Sequence, residues 1–313
     1  MTATSEYNCY FEGQIRPLRE ARVGVMTHAF NYGTGCFEGI RAYWNADERA
    51  LYVFRLREHM QRLQRSARTL LIELDSSVDA LCHLALDVLA ANDFSSDVYL
   101  RPLAYKATEV VGVRLHDLRD ELTIYAVPLG DYITTGGLHV GVSSWRRIDD
   151  NAAPARAKIT GTYVNSALAK TEAHLNGYDE AIMLTDDGHV SEGSAENLFM
   201  FVGSEIITPP PSDNILLGIT RDTIMTLARA ELGLTVVERS IDRSELYGAE
   251  ELLLCGTGAQ IAPVLSVDRR PVGAGEIGPH AARLQQLYDA IVRGRDARYQ
   301  HWLTAVVTSP AAT

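Results

Sequence analysis

The chain has 313 residues, enough for about two domains and a sizeable core. Hydrophobic residues make up 46% and charged residues 22%, ordinary globular values that exclude wholesale disorder. The 29 Lys and Arg against 40 Asp and Glu leave a net charge of −11. A chain of that sign repels polyanions, so neither nucleic acid nor an anionic membrane is an expected partner. The N-terminal stretch has no apolar core of a leader type, and the longest near-apolar run, 80–91, is too short to span a bilayer and contains His83 and Asp87. The four cysteines form no CxxC pair and the nine histidines no HExxH motif, so a reducing cytoplasm is expected and a metal site is not.

In chain order, Glu12-Gly13 between Tyr10-Phe11 and Gln14-Ile15 reads as a hairpin turn. A strand is predicted over 51–55. Leu56, Met60, Leu63, Ala67 and Leu70 then stripe a helix over 56–70. Leu81, Leu84, Ala85 and Val88 stripe a second over 78–91. Strands are predicted over 97–105 and 121–127. Thr134-Thr135-Gly136-Gly137 is the best linker, which divides the chain into 1–133, a 134–137 linker and 138–313. The second part opens on a strand over 138–144 and continues through an irregular 146–156 to a helix over 164–175 that ends at Asn176-Gly177. Asp186-Asp187-Gly188 signals a hairpin, and the prolines within 208–212 break structure. Thr220 is read as the cap of a helix running to Leu232-Gly233, and Leu284, Leu287, Tyr288 and Ile291 stripe a C-terminal helix.

Several residues could carry chemistry. Gly218-Ile219-Thr220 leads into a helix whose first N–H groups could cradle an anion, although alone it reads as an ordinary cap. Gly256-Thr257-Gly258-Ala259 follows the apolar Leu252-Leu253-Leu254 and would let backbone approach a ligand, or form a plain turn. Arg62 flanks the Met60/Leu63 stripe and could reach inward to a phosphate. Lysine occurs only at Lys106, Lys158 and Lys170. Lys170 is expected to be solvated, and Lys158, between a loop and a helix, could form a Schiff base with a carbonyl cofactor. Locally, nothing decides between Lys106 and Lys158. Glu192 and Glu196 stand in a turn of small residues, as a buried carboxylate with a partner or as a charged loop.

Taken together, HAFNYGTGCFEGIR at 28–41, REHMQRL at 57–63, YLRP at 99–102, KITGTY at 158–163, SEGSAENLF at 191–199, GITRD at 218–222 and GTGA at 256–259 resemble fold type IV pyridoxal-phosphate aminotransferases. The likeness is nearest to the branched-chain amino acid aminotransferases. It runs from about Tyr10 to the C-terminal helix and implies a two-domain α+β fold of the D-amino acid aminotransferase-like kind, a small N-terminal α/β domain and a larger cofactor-binding one, with the cofactor at the domain interface. It implies pyridoxal 5'-phosphate held as a Schiff base by Lys158, which also moves protons at the substrate. Tyr163 would bond the ring's phenolate oxygen, and Glu192 the pyridine nitrogen, making the ring an electron sink. Arg62, Ile219, Thr220 and Thr257 would hold the phosphate. Gly258 and Ala259 would meet the substrate carboxylate. Tyr32, Tyr99 and Arg101 would line the substrate side, Arg101 facing the second carboxylate of glutamate, with Phe37 and Tyr132 as apolar walls. A cytoplasmic homodimer or higher homo-oligomer is implied, the partner's loop covering the site.

The activity implied is ping-pong transfer of an amino group from L-leucine, isoleucine or valine to 2-oxoglutarate. The alternatives are an (R)-selective amine or D-amino acid transaminase of the same fold, an aminodeoxychorismate lyase, or a non-catalytic binding protein. Leu129 replaces a common aromatic, Gln260 a common acid, and Ile159-Thr160-Gly161-Thr162 is bulkier than usual. The YLRP run favours the branched-chain type, and retention of Lys158, Tyr163, Glu192 and Arg62 argues against a non-catalytic scaffold.

Overall fold

A computed structural model describes residues 6–130 and 136–306. Within these, 6–130, 157–161 and 290–306 form one unit, and 136–156 and 162–289 the other.

The first unit is an eight-stranded sheet paired antiparallel throughout. Its order is Leu303–Ala305, Ala50–Phe54, Ile40–Asn45, Val98–Lys106, Asp120–Pro128, Asn8–Phe11 and Gln14–Pro17, with Gly35–Phe37 also pairing on Val98–Lys106. The hairpin turns at Glu12 and Gly13, both with positive φ, as a two-residue turn requires. The helices Leu56–Thr69 and Val78–Ala90 lie within a residue of expectation. Their stripes bury Met60, Leu63, Leu81 and Ala85 with Ile40, Val53, Leu100 and Ile124 of the strands. Alternation along Val98–Lys106 turns Val98 and Leu100 into that core.

The second unit is a nine-stranded mixed sheet in the order Val190–Gly193, Glu180–Leu184, Leu138–Arg146, Gln260–Val267, Glu251–Gly256, Asn197–Val202, Glu205–Thr208 and Thr235–Glu238, with Arg270–Pro271 on Gln260–Val267. Two of its parallel pairs are joined by helical crossovers, as parallel strands demand. Tyr163–Leu175 links Leu138–Arg146 to Glu180–Leu184. Ile219–Glu231 links Glu205–Thr208 to Thr235–Glu238.

Three local differences from expectation have physical causes. Thr220 is not the cap: Gly218 occupies that position with extended backbone, and Thr220 is buried in the first turn. His28–Tyr32 forms a single helical turn that no periodicity announces. The expected boundary at 134–137 begins outside the described residues, and two later segments belong with the first unit. Ile159 bridges Cys36, and Leu303–Ala305 adds a strand to Ala50–Phe54.

Gly33 ends the His28–Tyr32 turn with φ +66, and a Cβ there would stand 2.5 Å from Gly161 Cα. Gly161 N and Thr160 Oγ1 both donate to Gly33 O, so this contact seats the segment carrying Lys158. Gly33→Ala is therefore expected to lower stability by about 1–3 kcal/mol from the backbone conformation alone, and to loosen cofactor retention. Thermal unfolding and gel filtration of loaded protein check this. Wild-type values on both would refute the coupling.

Candidate active site

In the first unit, Lys158 is held by its backbone. Its N–H donates to Ser66 Oγ at 3.1 Å and its carbonyl accepts from Phe37 N at 3.0 Å. Its Nζ lies 5.0 Å from the centre of the Phe37 ring, and Arg101 Cζ lies 4.2 Å from the same ring. Arg101 Nη2 donates to the Tyr99 hydroxyl at 2.6 Å, while Arg101 Nε is buried without an acceptor. Phe37, Tyr99, Arg101 and Lys158 thus form one cluster.

The other lysines are committed elsewhere. Buried Lys106 donates to Leu71 O at 2.6 Å and pairs with Asp120 at 2.8 Å. Lys170, expected to be solvated, keeps 40% of its side chain exposed and also donates to Asp179 O at 2.6 Å and Glu180 Oε2 at 2.5 Å. The cause is Glu180, an acid with only 1% exposure that needs a cation.

Arg62 sits against Glu38, which is fully buried. Arg62 Nε and Nη2 donate to the two carboxylate oxygens at 2.7 and 2.8 Å, and His59 Nδ1 lies 2.7 Å from Glu38 Oε2. Burial alone would raise Glu38, but Arg62 and then His59 more than offset it and hold the acid at about 2. Tyr32 is half-exposed, its hydroxyl accepting from Gly112 N at 3.1 Å. Tyr132 lies outside the described residues.

In the second unit, Glu192 accepts from Arg147 Nη2 at 2.7 Å, Asn197 Nδ2 at 2.9 Å and Leu216 N at 3.1 Å. Asn197 Nδ2 also donates to Leu216 O at 2.9 Å. A Cβ at Gly218 would collide with Asn197 Oδ1, and no side chain caps the helix behind it. The buried acid and the helix start carrying Ile219 and Thr220 are therefore one connected construction. Thr257, Gly258 and Ala259 form the tight turn closed by the Gly256–Gln260 pair. Tyr163 opens the Tyr163–Leu175 helix.

Glu196 differs from Glu192. Burial first and the neighbouring Glu180 second push it up to about 8. Its Oε2 accepts from Ala195 N at 3.0 Å. The residues missed from sequence are Glu38, Arg147 and Asn197. Glu38 and Asn197 stand inside the quoted runs, beside residues that drew notice. Arg147 lies in a segment read as irregular.

Residues 35–267 match the family model for class IV amino-transferases. A probable branched-chain-amino-acid aminotransferase of Aquifex aeolicus is 48% identical over 298 residues, 95% of this chain and 96% of that protein. The solved branched-chain aminotransferase of Thermoproteus uzoniensis with norvaline superposes with a TM-score of 0.92 at 40% identity, over 96% of this chain and 99% of that one. The branched-chain amino acid aminotransferase of Thermobaculum terrenum, solved in its PLP-form, gives 0.93 at 39%, over 98% and 100%. The chain belongs to the class IV aminotransferases.

A carboxyl raised by folding favours the folded state while protonated. That contribution is complete below its unfolded value near 4.5 and is lost as pH rises through about 8. Glu196→Gln, a neutral isostere, should therefore flatten the loss of stability between about pH 5 and about pH 9. Urea unfolding across that range measures it. An unchanged slope would show that Glu196 is already ionised.

Proposed function

We propose that the chain is a branched-chain-amino-acid aminotransferase working with pyridoxal 5'-phosphate, which moves the amino group of L-leucine, isoleucine or valine to 2-oxoglutarate. The observation that carries this reading is the construction around Glu192. A buried acid and a helix start with a glycine at its cap, tied together through Asn197, are what a pyridine nitrogen and a phosphate on one ring would need. Gly218 fits the same purpose, since any side chain there would fill the approach to the N–H groups. The relatives' names supply the substrate class.

The cofactor, when bound, supplies an electron sink for charge developing at the substrate Cα. Lys158 Nζ holds the cofactor and then carries the proton at that Cα. Tyr163 donates to the ring's phenolate oxygen. Glu192, which accepts from Arg147 at 2.7 Å, keeps a proton on the ring nitrogen. Arg62, the N–H groups of Ile219 and Thr220, and Thr257 bind the phosphate. Gly258 and Ala259 present backbone N–H groups to the substrate carboxylate. Phe37, whose ring lies 5.0 Å from Lys158 Nζ, excludes water from the side chain.

Arg101 takes the second carboxylate of glutamate. Its Nε is buried without an acceptor, a state that normally costs about 1–3 kcal/mol, and a bound carboxylate would supply one. Tyr99 steers it through the 2.6 Å bond.

The working unit is proposed to be a cytoplasmic homodimer or higher oligomer. Val25, Phe30, Val111 and Val113 of the first unit are 70–81% exposed, and Tyr32 joins the two segments through Gly112. Such an apolar patch fits a second copy better than water. Among the described residues no helix is long and apolar enough to cross a membrane.

Three experiments test these roles. Borohydride reduction and peptide mapping should place the cofactor on Lys158, and label on Lys106 or Lys170 would refute it. Lys158→Ala should cost at least ~10²–10⁴-fold in turnover. Arg101→Leu should slow the single-turnover reaction with 2-oxoglutarate roughly ten- to a hundredfold, the worth of a charged hydrogen bond, and change that with leucine little. Equal losses would make Arg101 structural.

A further inference from the structure

Glu38 occupies a break in the first unit's sheet. Gly35–Phe37 and Ile40–Asn45 pair one after the other along the same strand, Val98–Lys106, and residues 38 and 39 lie between them. Glu38 N donates to Pro102 O at 2.9 Å, and a Cβ at residue 39 would collide with the Tyr99 hydroxyl. The backbone at the break is therefore pinned. The Leu56–Thr69 helix presents His59 and Arg62, three residues apart and on one face, to the carboxylate. Both oxygens of Glu38 receive donors, and the acid has no exposed surface.

A charged acid in such a place needs an unusual set of partners, and an apolar side chain would pack there at lower cost. Nothing in the transamination reaction uses Glu38 directly. What it does is fix a guanidinium. Two of the three nitrogens of Arg62 are committed to one carboxylate, and a fork bound to a fork has a set plane and direction. We propose that Glu38, braced by His59, is a positioning residue that presets Arg62 for the phosphate of the cofactor. A cation already oriented binds its anion without the further cost of ordering a long side chain. The inference rests on the reading that Arg62 binds the phosphate.

Charge and orientation act in opposite directions here, which makes the idea testable. The negative charge of Glu38 repels a phosphate, so a role through charge alone would weaken binding. Orientation strengthens it. Glu38→Asp keeps the charge and withdraws the carboxylate by one methylene, so Arg62 must release the fork or follow it away from the phosphate. Glu38→Gln turns one acceptor into an N–H donor facing Arg62, yet also removes the repulsive charge. Orientation therefore predicts that Asp is the more damaging substitution, although it is the milder change in charge.

The full-length chain freed of cofactor is titrated with pyridoxal 5'-phosphate and with pyridoxal, followed by tryptophan fluorescence. The ratio of the two affinities isolates the phosphate contribution, and the melting temperature of the free protein reports on folding. Glu38→Asp should lower the ratio by about tenfold or more, with pyridoxal affinity little changed, and Glu38→Gln should lower it less. Should Glu38→Asp fail to fold, His59→Leu removes the brace and must lower the ratio as well. A wild-type ratio in the Glu38 variants, or a larger loss in Gln than in Asp, overturns the proposal. Arg62→Gln separates the two levels. If it collapses the ratio while the Glu38 variants do not, only the positioning role falls. If it leaves the ratio intact, the phosphate role of Arg62 falls, and the positioning role with it.

Discussion

A carboxylate stays charged inside a protein only when donors replace the water it has lost. Much of this chain's chemistry follows from how it meets that constraint. Glu38 and Glu192 are both buried, and each is matched to an arginine, Arg62 and Arg147. Glu196, four residues from Glu192 and equally buried, answers mainly to Glu180 rather than to an arginine and is pushed toward its neutral form. Burial is thus the same for the two acids of one turn, and what differs is the partner: Arg147 for Glu192, Glu180 for Glu196.

The same logic places the cations. Three lysines and a set of inward-facing arginines serve distinct ends. Lys106 and Lys170 neutralise Asp120 and Glu180, which leaves Lys158 as the lysine held beside Phe37 and Arg101. Arginine appears wherever a planar fork is needed, and lysine where a single amine suffices. Glycines complete the arrangement at the points where backbone must come close: Gly33 against Gly161, and Gly218 against Asn197.

Much of the fold was legible from sequence because the signals are local. The Leu56–Thr69 helix follows from its apolar stripe, and the first hairpin from Glu12-Gly13. The strand from Leu303 to Ala305 was not legible, since it pairs with residues some 250 positions earlier and carries no pattern of its own. Ile159 joins the first unit through a single bridge to Cys36, which no composition shift announces. At the site, scarcity narrowed the lysine to three positions and small neighbours drew notice to Glu192 and Glu196, and only the family resemblance chose Lys158 and Glu192 among them. Arg147 and Glu38 did not stand out, because their importance lies in partners 45 and 24 residues away. Thr220 was misread as a cap because a threonine before an apolar stripe usually is one. Here the bare glycine two residues earlier takes that place.

The most direct test of the function is the visible absorbance of the cofactor-loaded enzyme in separate half-reactions. L-leucine without a 2-oxo acid should bleach it, with release of the matching 2-oxo acid, and 2-oxoglutarate should then restore it. D-alanine or an (R)-arylethylamine should leave it nearly unchanged. Bleaching by those amines with no response to L-leucine would contradict a branched-chain aminotransferase.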